Sequence, residues 1–170
     1  QSGEAQLVAE VVEPTVTYED NEKVTDLLGG FSTTYGAGDV NRNTNLVVAC
    51  QYITGTILAP GEVFSASDGM GVQTYERGYR SAGVYVNGKV ENGMGGGVCQ
   101  VSTTIYNAAI FAEMEIVERH PHSMTVGYVP LGRDAAIADG YKDLKIKNNT
   151  DYPMYLEAYA ANGTLAVNIY

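Results

Sequence analysis

Cys99 lies in the run Gly95-Gly96-Gly97-Val98-Cys99-Gln100-Val101-Ser102-Thr103-Thr104, directly ahead of a helix-like stretch from Ile105 to Ala112. Consecutive glycines have no side-chain bulk and reach positive φ freely, so their main-chain N–H groups can approach a reacting atom closely. A thiol at the mouth of the following helix feels the positive end of its dipole, which favours the thiolate. A deprotonatable sulfur, a donor loop and a helix N-terminus together point to acyl transfer. The N–H groups of Gly96, Gly97 and Gln100 are then candidate oxyanion donors. Ser102 and Asn107 are candidate polar contacts to substrate, with the Gln100 and Asn107 amides near the thiol.

The chain holds two histidines, His120 and His122, separated by Pro121. Proline fixes its own φ and pushes the preceding residue toward extended geometry, where residues two apart point the same way. Either imidazole is therefore a candidate base for the thiol. Asp134 and Asp143 are the downstream carboxylates able to orient an imidazole, and each also reads as a turn cap or a strand start. Arg77, Arg80 and Arg119 are candidates for binding a substrate carboxylate. A zinc site would need Cys99, His120 and His122 to converge on one ion with water in the fourth position. We expect no metal and no cofactor. The glycine run is no phosphate loop, because no Lys-Ser/Thr pair follows it.

These residues need elements to position them. Leu46, Ala49, Cys50 and Ile53 recur at helical spacing after a cap at Asn43 or Thr44, and Gly55 ends that helix. Cys50 falls on the apolar face and reads as a packing residue. Asp68 to Gly83 reads as loop. Gly83 to Val86, Asn87-Gly88 and Lys89-Val90 read as a hairpin that feeds the glycine run. Val101, Ile105, Ala108, Ala109 and Ala112 form one helix face, while Ser102, Thr103 and Thr104 suit a helix start. Glu115 to Arg119 and Thr125 to Val129 read as strands around the histidines. Beyond Leu144 the chain alternates cleanly through Ile146, Met154, Leu156, Ala158, Leu165, Val167 and Ile169, with turns at Asn149-Thr150-Asp151 and Asn162-Gly163. That pattern predicts an antiparallel meander with one buried face. The expected fold is α+β: a single compact domain with an antiparallel sheet, a hairpin and two main helices, one beginning at the nucleophile.

Residues 1–30 read as a linker or the tail of a preceding domain, with Val8–Val12 and Thr15–Tyr18 as short strands and Gly29-Gly30 at the boundary. Residues 31–170 form the domain proper. The formal net charge of −10, with no basic stripe, argues against a nucleic-acid partner. Thirteen tyrosines suit strands and would equally suit a sugar or peptide surface. No stretch reaches the length of a membrane span. The abrupt start at Gln1 suggests an excised fragment whose parent is free to carry a membrane anchor. With only two cysteines, a Cys50–Cys99 bridge is compatible with the sequence, but a nucleophilic Cys99 has to be free.

The block from Gly95 to Ala108 resembles the signature of VanW domains. Further matching pieces are Phe31-Ser32-Thr33-Thr34-Tyr35, Pro60-Gly61-Glu62-Val63-Phe64-Ser65 and Glu118-Arg119-His120-Pro121-His122-Ser123. Tyr128 to Ala135 and Asp143 to Asn149 complete the resemblance, which covers the chain from about Phe31 to its end. Residues 1–30 resemble the tail of the peptidoglycan-binding-like domain that often precedes VanW domains. The family takes its name from vancomycin-resistance gene clusters, and its members are extracytoplasmic bacterial proteins. Some are understood to be peptidoglycan L,D-transpeptidases with an essential cysteine. The resemblance implies Cys99 as nucleophile, His122 as a better base than His120, and peptidoglycan stem peptides as partners at the cell surface. It leaves two rivals: a cysteine peptidase or carboxypeptidase on the same stems, and a noncatalytic wall-binding module. One departure is Ala136, where many relatives carry Thr, which puts only a hydrogen bond in doubt.

Overall fold

The computed structural model describes residues 24–86, 88–138 and 140–170, together with 17, 19 and 22. The strands read at Val8–Val12 and Thr15–Tyr18 lie outside the described residues, except for Thr17. The first strand, β1 (Gly29–Thr34), leads to helix α1 (Val40–Ile53), short strands β2 (Thr56–Leu58) and β3 (Val63–Ser65), and a one-turn helix α2 (Ala66–Met70). Next come β4 (Ser81–Val86), β5 (Lys89–Met94) and helix α3 (Val98–Phe111). The chain finishes with β6 (Glu115–Glu118), β7 (Lys145–Lys147), β8 (Met154–Ala161) and β9 (Thr164–Ile169).

All strand pairs are antiparallel, in a four-stranded sheet β1-β9-β8-β2, a three-stranded sheet β3-β7-β6 and the hairpin β4-β5. The fold is α+β. Helices α1 and α3 lie side by side and pack on the four-stranded sheet. Leu46, Ile53, Val101 and Ile105 from the helices meet Leu156, Leu165, Val167 and Ile169 from the sheet, all fully buried. Burying side chains of this size contributes about 1.5–3 kcal/mol each and makes this layer the rigid base of the molecule.

Several boundaries differ from the sequence reading, each for a local reason. Helix α1 starts earlier, because the Asp39 carboxylate accepts from Arg42 N (2.9 Å) and caps its first turn. The loop expected from Asp68 onward gives part of itself to α2, capped by Ser65, whose hydroxyl accepts from Asp68 N. Helix α3 starts at Val98, so Ser102, Thr103 and Thr104 are buried inside it and do not cap it. The expected strand at Thr125–Val129 is irregular chain. The C-terminal meander is split: β8 and β9 pair through the Asn162-Gly163 turn, both residues at positive φ, while β7 joins β3 and β6. Gly29 and Gly30 open β1, which runs against β9.

Candidate functional site

A cleft of about 930 Å³ opens between the β4-β5 hairpin, the start of α3 and the irregular segment between β6 and β7. Cys99 lines it. Two glycines explain how the sulfur reaches the cleft. Gly97 caps α3 with φ +108°, a conformation that side-chain-bearing residues rarely adopt. A Cβ on Gly96 would stand 2.6 Å from Ala82 C and 2.7 Å from Gly83 O, so only glycine lets this turn lie on the hairpin backbone. Buried Asn45 secures the same turn, donating to Gly96 O and Arg80 O and accepting from Arg80 N.

The helix face that begins with Cys99 continues through Ser102, Thr103 and Asn107, at the spacing of helical neighbours. Ser102 Oγ donates to Ala135 O (2.7 Å), Thr103 Oγ1 accepts from Ala135 N (3.0 Å), and Asn107 Nδ2 donates to Arg133 O (2.8 Å). This buried polar stripe fastens residues 133–135 to α3. It thereby places Asp134 beside the segment that carries His122.

There His122 Nδ1 lies 2.7 Å from Asp134 Oδ2, and the same oxygen accepts from the His122 backbone N–H at 2.6 Å. The other carboxylate oxygen takes Arg119 Nη2 at 2.9 Å, and Arg119 Nε donates to Asp134 O at 2.7 Å. Burial pushes the Asp134 carboxyl up, but the hydrogen bonds and charge of His122 outweigh it and hold it below the usual carboxylate range. An ionised Asp134 accepts a hydrogen bond from Nδ1–H, the arrangement that leaves Nε2 of His122 as an acceptor. The His122 side chain is only 8% exposed, yet it lines the same cleft as Cys99.

Cys99 and Cys50 are both free, so no bridge ties Cys99. Cys50 is buried on the apolar face of α1, and burial pushes its thiol up to about 12. Cys99 is partly exposed and donates weakly to Ile137 O (3.4 Å). Here the expectation of a lowered thiol fails. Burial pushes the Cys99 thiol up, against the hydrogen bond to Ile137 O and the pull of the Lys142 charge, which favours the protonated sulfur.

The candidate residues therefore divide. Cys99, His122, Gly97 and Gln100 line the cleft, and Asp134 backs the histidine. Gln100 is buried, and its amide N–H groups are held by Thr33 Oγ1 and Thr34 O, so its side chain offers the cleft no donor. Its backbone N–H is taken by Gly97 O (2.8 Å), and that of Val98 by Gly95 O. The N–H groups of Gly96, Gly97 and Cys99 have no carbonyl partner among the described residues, and that of Cys99 lies against its own sulfur, so these three are the candidate oxyanion donors of this turn. Ser102 and Asn107 are positioning groups. His120 Nε2 is turned to Glu118 Oε1 (3.0 Å), and Arg119 is held by Asp134.

Asp143 accepts from Ser65 Oγ, Ser67 N and Leu144 N, so it caps α2 and does not touch either histidine. Arg77 stacks over Tyr52, and Arg80 donates to Tyr79 O. Among the described residues no group of three His, Cys, Asp or Glu side chains gathers to hold a metal ion. Sequence reasoning missed Arg42, Tyr128 and Lys142, all in the cleft. Burial pushes the Tyr128 hydroxyl up, which keeps it a donor. The only sequence signal for Tyr128 was its place in the block running to Ala135. Arg42 and Lys142 had none, because the fold brings them in from distant segments.

Residues 41–170 match the family model described as VanW like protein, most of the chain. The chain belongs to the VanW-like family. Its VanW-like relatives include the uncharacterized protein YoaR of Bacillus subtilis (strain 168), 34% identical over 86% of this chain and 48% of its own length. The vancomycin B-type resistance protein VanW of Enterococcus faecalis (strain ATCC 700802 / V583) is 28% identical over 86% of this chain and 54% of its own. The chain thus spans about half the length of the curated relatives it matches. No solved structure matches it. No helix among the described residues is long and apolar enough to cross a membrane. The Ala136 N–H donates to His120 O (2.8 Å).

Proposed function

We propose that this domain is a cysteine acyltransferase of the bacterial cell envelope, a peptidoglycan L,D-transpeptidase that forms 3→3 cross-links through a thioacyl intermediate on Cys99. The observation that supports it best is one cleft lined by both Cys99 and His122, with His122 Nδ1 held 2.7 Å from the Asp134 carboxylate. The substrate class rests on the VanW resemblance and on a relative named for vancomycin resistance. That substrate places the domain outside the cytoplasm, with no cofactor required.

His122 Nε2 takes the Cys99 proton, and the thiolate attacks the carbonyl of the third residue of a tetrapeptide stem. The Cys99 N–H faces the oxyanion, a donor of a kind typically worth about 3–4 kcal/mol. The C–N bond then breaks, the imidazolium returns its proton to the departing D-alanine amine, and a thioester remains. The side-chain amine of a neighbouring stem attacks that thioester and gives its proton to His122. The thiolate leaves and is reprotonated, and the amide cross-link is complete.

Burial raises the Cys99 thiol, so in this mechanism proton removal by His122 accompanies attack. Incubating the protein with purified stem tetrapeptide and weighing the products tests the reading. A cross-linked dimer that disappears in Cys99→Ala supports it. Trimmed monomer alone would make the domain a hydrolase of the same stems. Binding without turnover, or full activity in Cys99→Ala, would make it a wall-binding module or move the chemistry elsewhere.

A further inference from the structure

Arg42 stands in the first turn of α1, its backbone N held by Asp39 Oδ1. Its Nη2 donates to Gln100 Oε1 at 2.6 Å, and Gln100 is itself immobilised by bonds to Thr33 and Thr34. The side chain passes over the turn that feeds the nucleophile: a Cβ on Gly97 would lie 2.8 Å from Arg42 Cγ and 3.4 Å from Nε. Arg42, Gly97, Cys99 and Tyr128 all line the same cleft.

Among the described residues no carboxylate pairs with Arg42. Asp39 lies at the rim of the cleft with Oδ1 occupied as the helix cap. Arg42 lines the cleft, and its guanidinium makes one side-chain hydrogen bond among the described residues, to Gln100 Oε1; a planar fork so placed fits a carboxylate ligand. The feature also runs against the composition of an acidic chain of net charge −10. The other cation of the cleft, Lys142, is engaged elsewhere: it donates to Pro121 O and lies over the Tyr141 ring.

We propose that Arg42 reads the free carboxylate of the residue that departs from the acyl donor, restricting attack to a bond next to a chain end. A single residue spans about 3.5 Å, so a carboxylate caught beside the nucleophile belongs to the residue immediately beyond the attacked carbonyl. The assignment rests on the acyl-transfer reading for its substrate but on Arg42 geometry for its specificity. Donors ending in a free acid are accepted, and the same donors capped as amides are rejected.

The test compares a stem tetrapeptide with its C-terminal amide, on wild type, Arg42→Lys and Arg42→Met. Wild type favours the acid by about 10- to 100-fold in kcat/KM, the usual worth of a hydrogen bond to a charged group. Arg42→Met loses that preference through the acid alone, and Arg42→Lys keeps part of it. A merely structural Arg42 would lower both donors together and leave the ratio intact, which would overturn the proposal. Equilibrium binding of the same two peptides to Cys99→Ala separates the two readings. Acid-selective binding that vanishes in Cys99→Ala/Arg42→Met upholds Arg42 even if the wild type never turns over. Equal binding of acid and amide overturns the assignment of Arg42 even if cross-linking is observed.

Discussion

In the proposed mechanism the thiol that burial makes harder to ionise passes its proton to His122 before it attacks. The two cysteines differ in address and therefore in reactivity. Native protein treated with iodoacetamide near pH 8 takes one alkyl group, on Cys99, and a second on Cys50 only after denaturation, as intact mass will show. Labelling of both in the native state would contradict the packing of α1. The orienting role of Asp134 is equally open to measurement. Asp134→Asn cannot accept on both sides: with its oxygen on Arg119, its NH2 takes the place of Oδ2 and presents an N–H to Nδ1, which moves the ring proton to Nε2 and removes the base. Turnover is expected to fall roughly 10²- to 10⁴-fold with the fold retained by circular dichroism. An unchanged rate would remove Asp134 from the mechanism.

At the scale of elements, the site depends on how closely backbones approach. Gly96 lets the turn before Cys99 lie on the β4-β5 hairpin, and a methyl there meets backbone, which cannot swing aside as a side chain could. Gly96→Ala is expected to cost about 1–3 kcal/mol in stability and to displace Cys99, so that melting temperature and turnover fall together. Unchanged turnover would mean the turn is not set by that contact. The α1 face, the Asn162-Gly163 turn and the hairpin were legible in the sequence, because short-range periodicity and turn chemistry determine them. Cys99, His122 and Asp134 were legible as residue types. Where the reading failed, long-range contacts decided. Ser102, Thr103 and Asn107 looked like capping or substrate groups, yet they face a loop some thirty residues away in sequence. The C-terminal alternation showed strands but not that β7 leaves β8 and β9 for another sheet. Arg42 reaches the cleft through a bond to Gln100, 58 residues along the chain, and no local pattern announces it.

For the whole molecule, the helix-on-sheet core is a platform and the irregular segment between β6 and β7 is the working part, tied down by Asp134. That tie gives acid stability a definite sign. The folded Asp134 carboxyl lies below its unfolded value, so its contribution is complete above about pH 4 and fades as pH falls through the lowered value. The melting-temperature gap between wild type and Asp134→Asn is therefore expected to be widest near neutral pH and to close in acid. A gap independent of pH would contradict the carboxylate's role. The central claim concerns the sulfur, and the most direct measurement is the intact mass of the protein after brief exposure to stem tetrapeptide, followed by peptide mapping. The account predicts one tripeptide acyl group, the donor less its terminal alanine, on Cys99 and none on His122→Ala. Product formed with no adduct at Cys99, or an adduct on another residue, would contradict it.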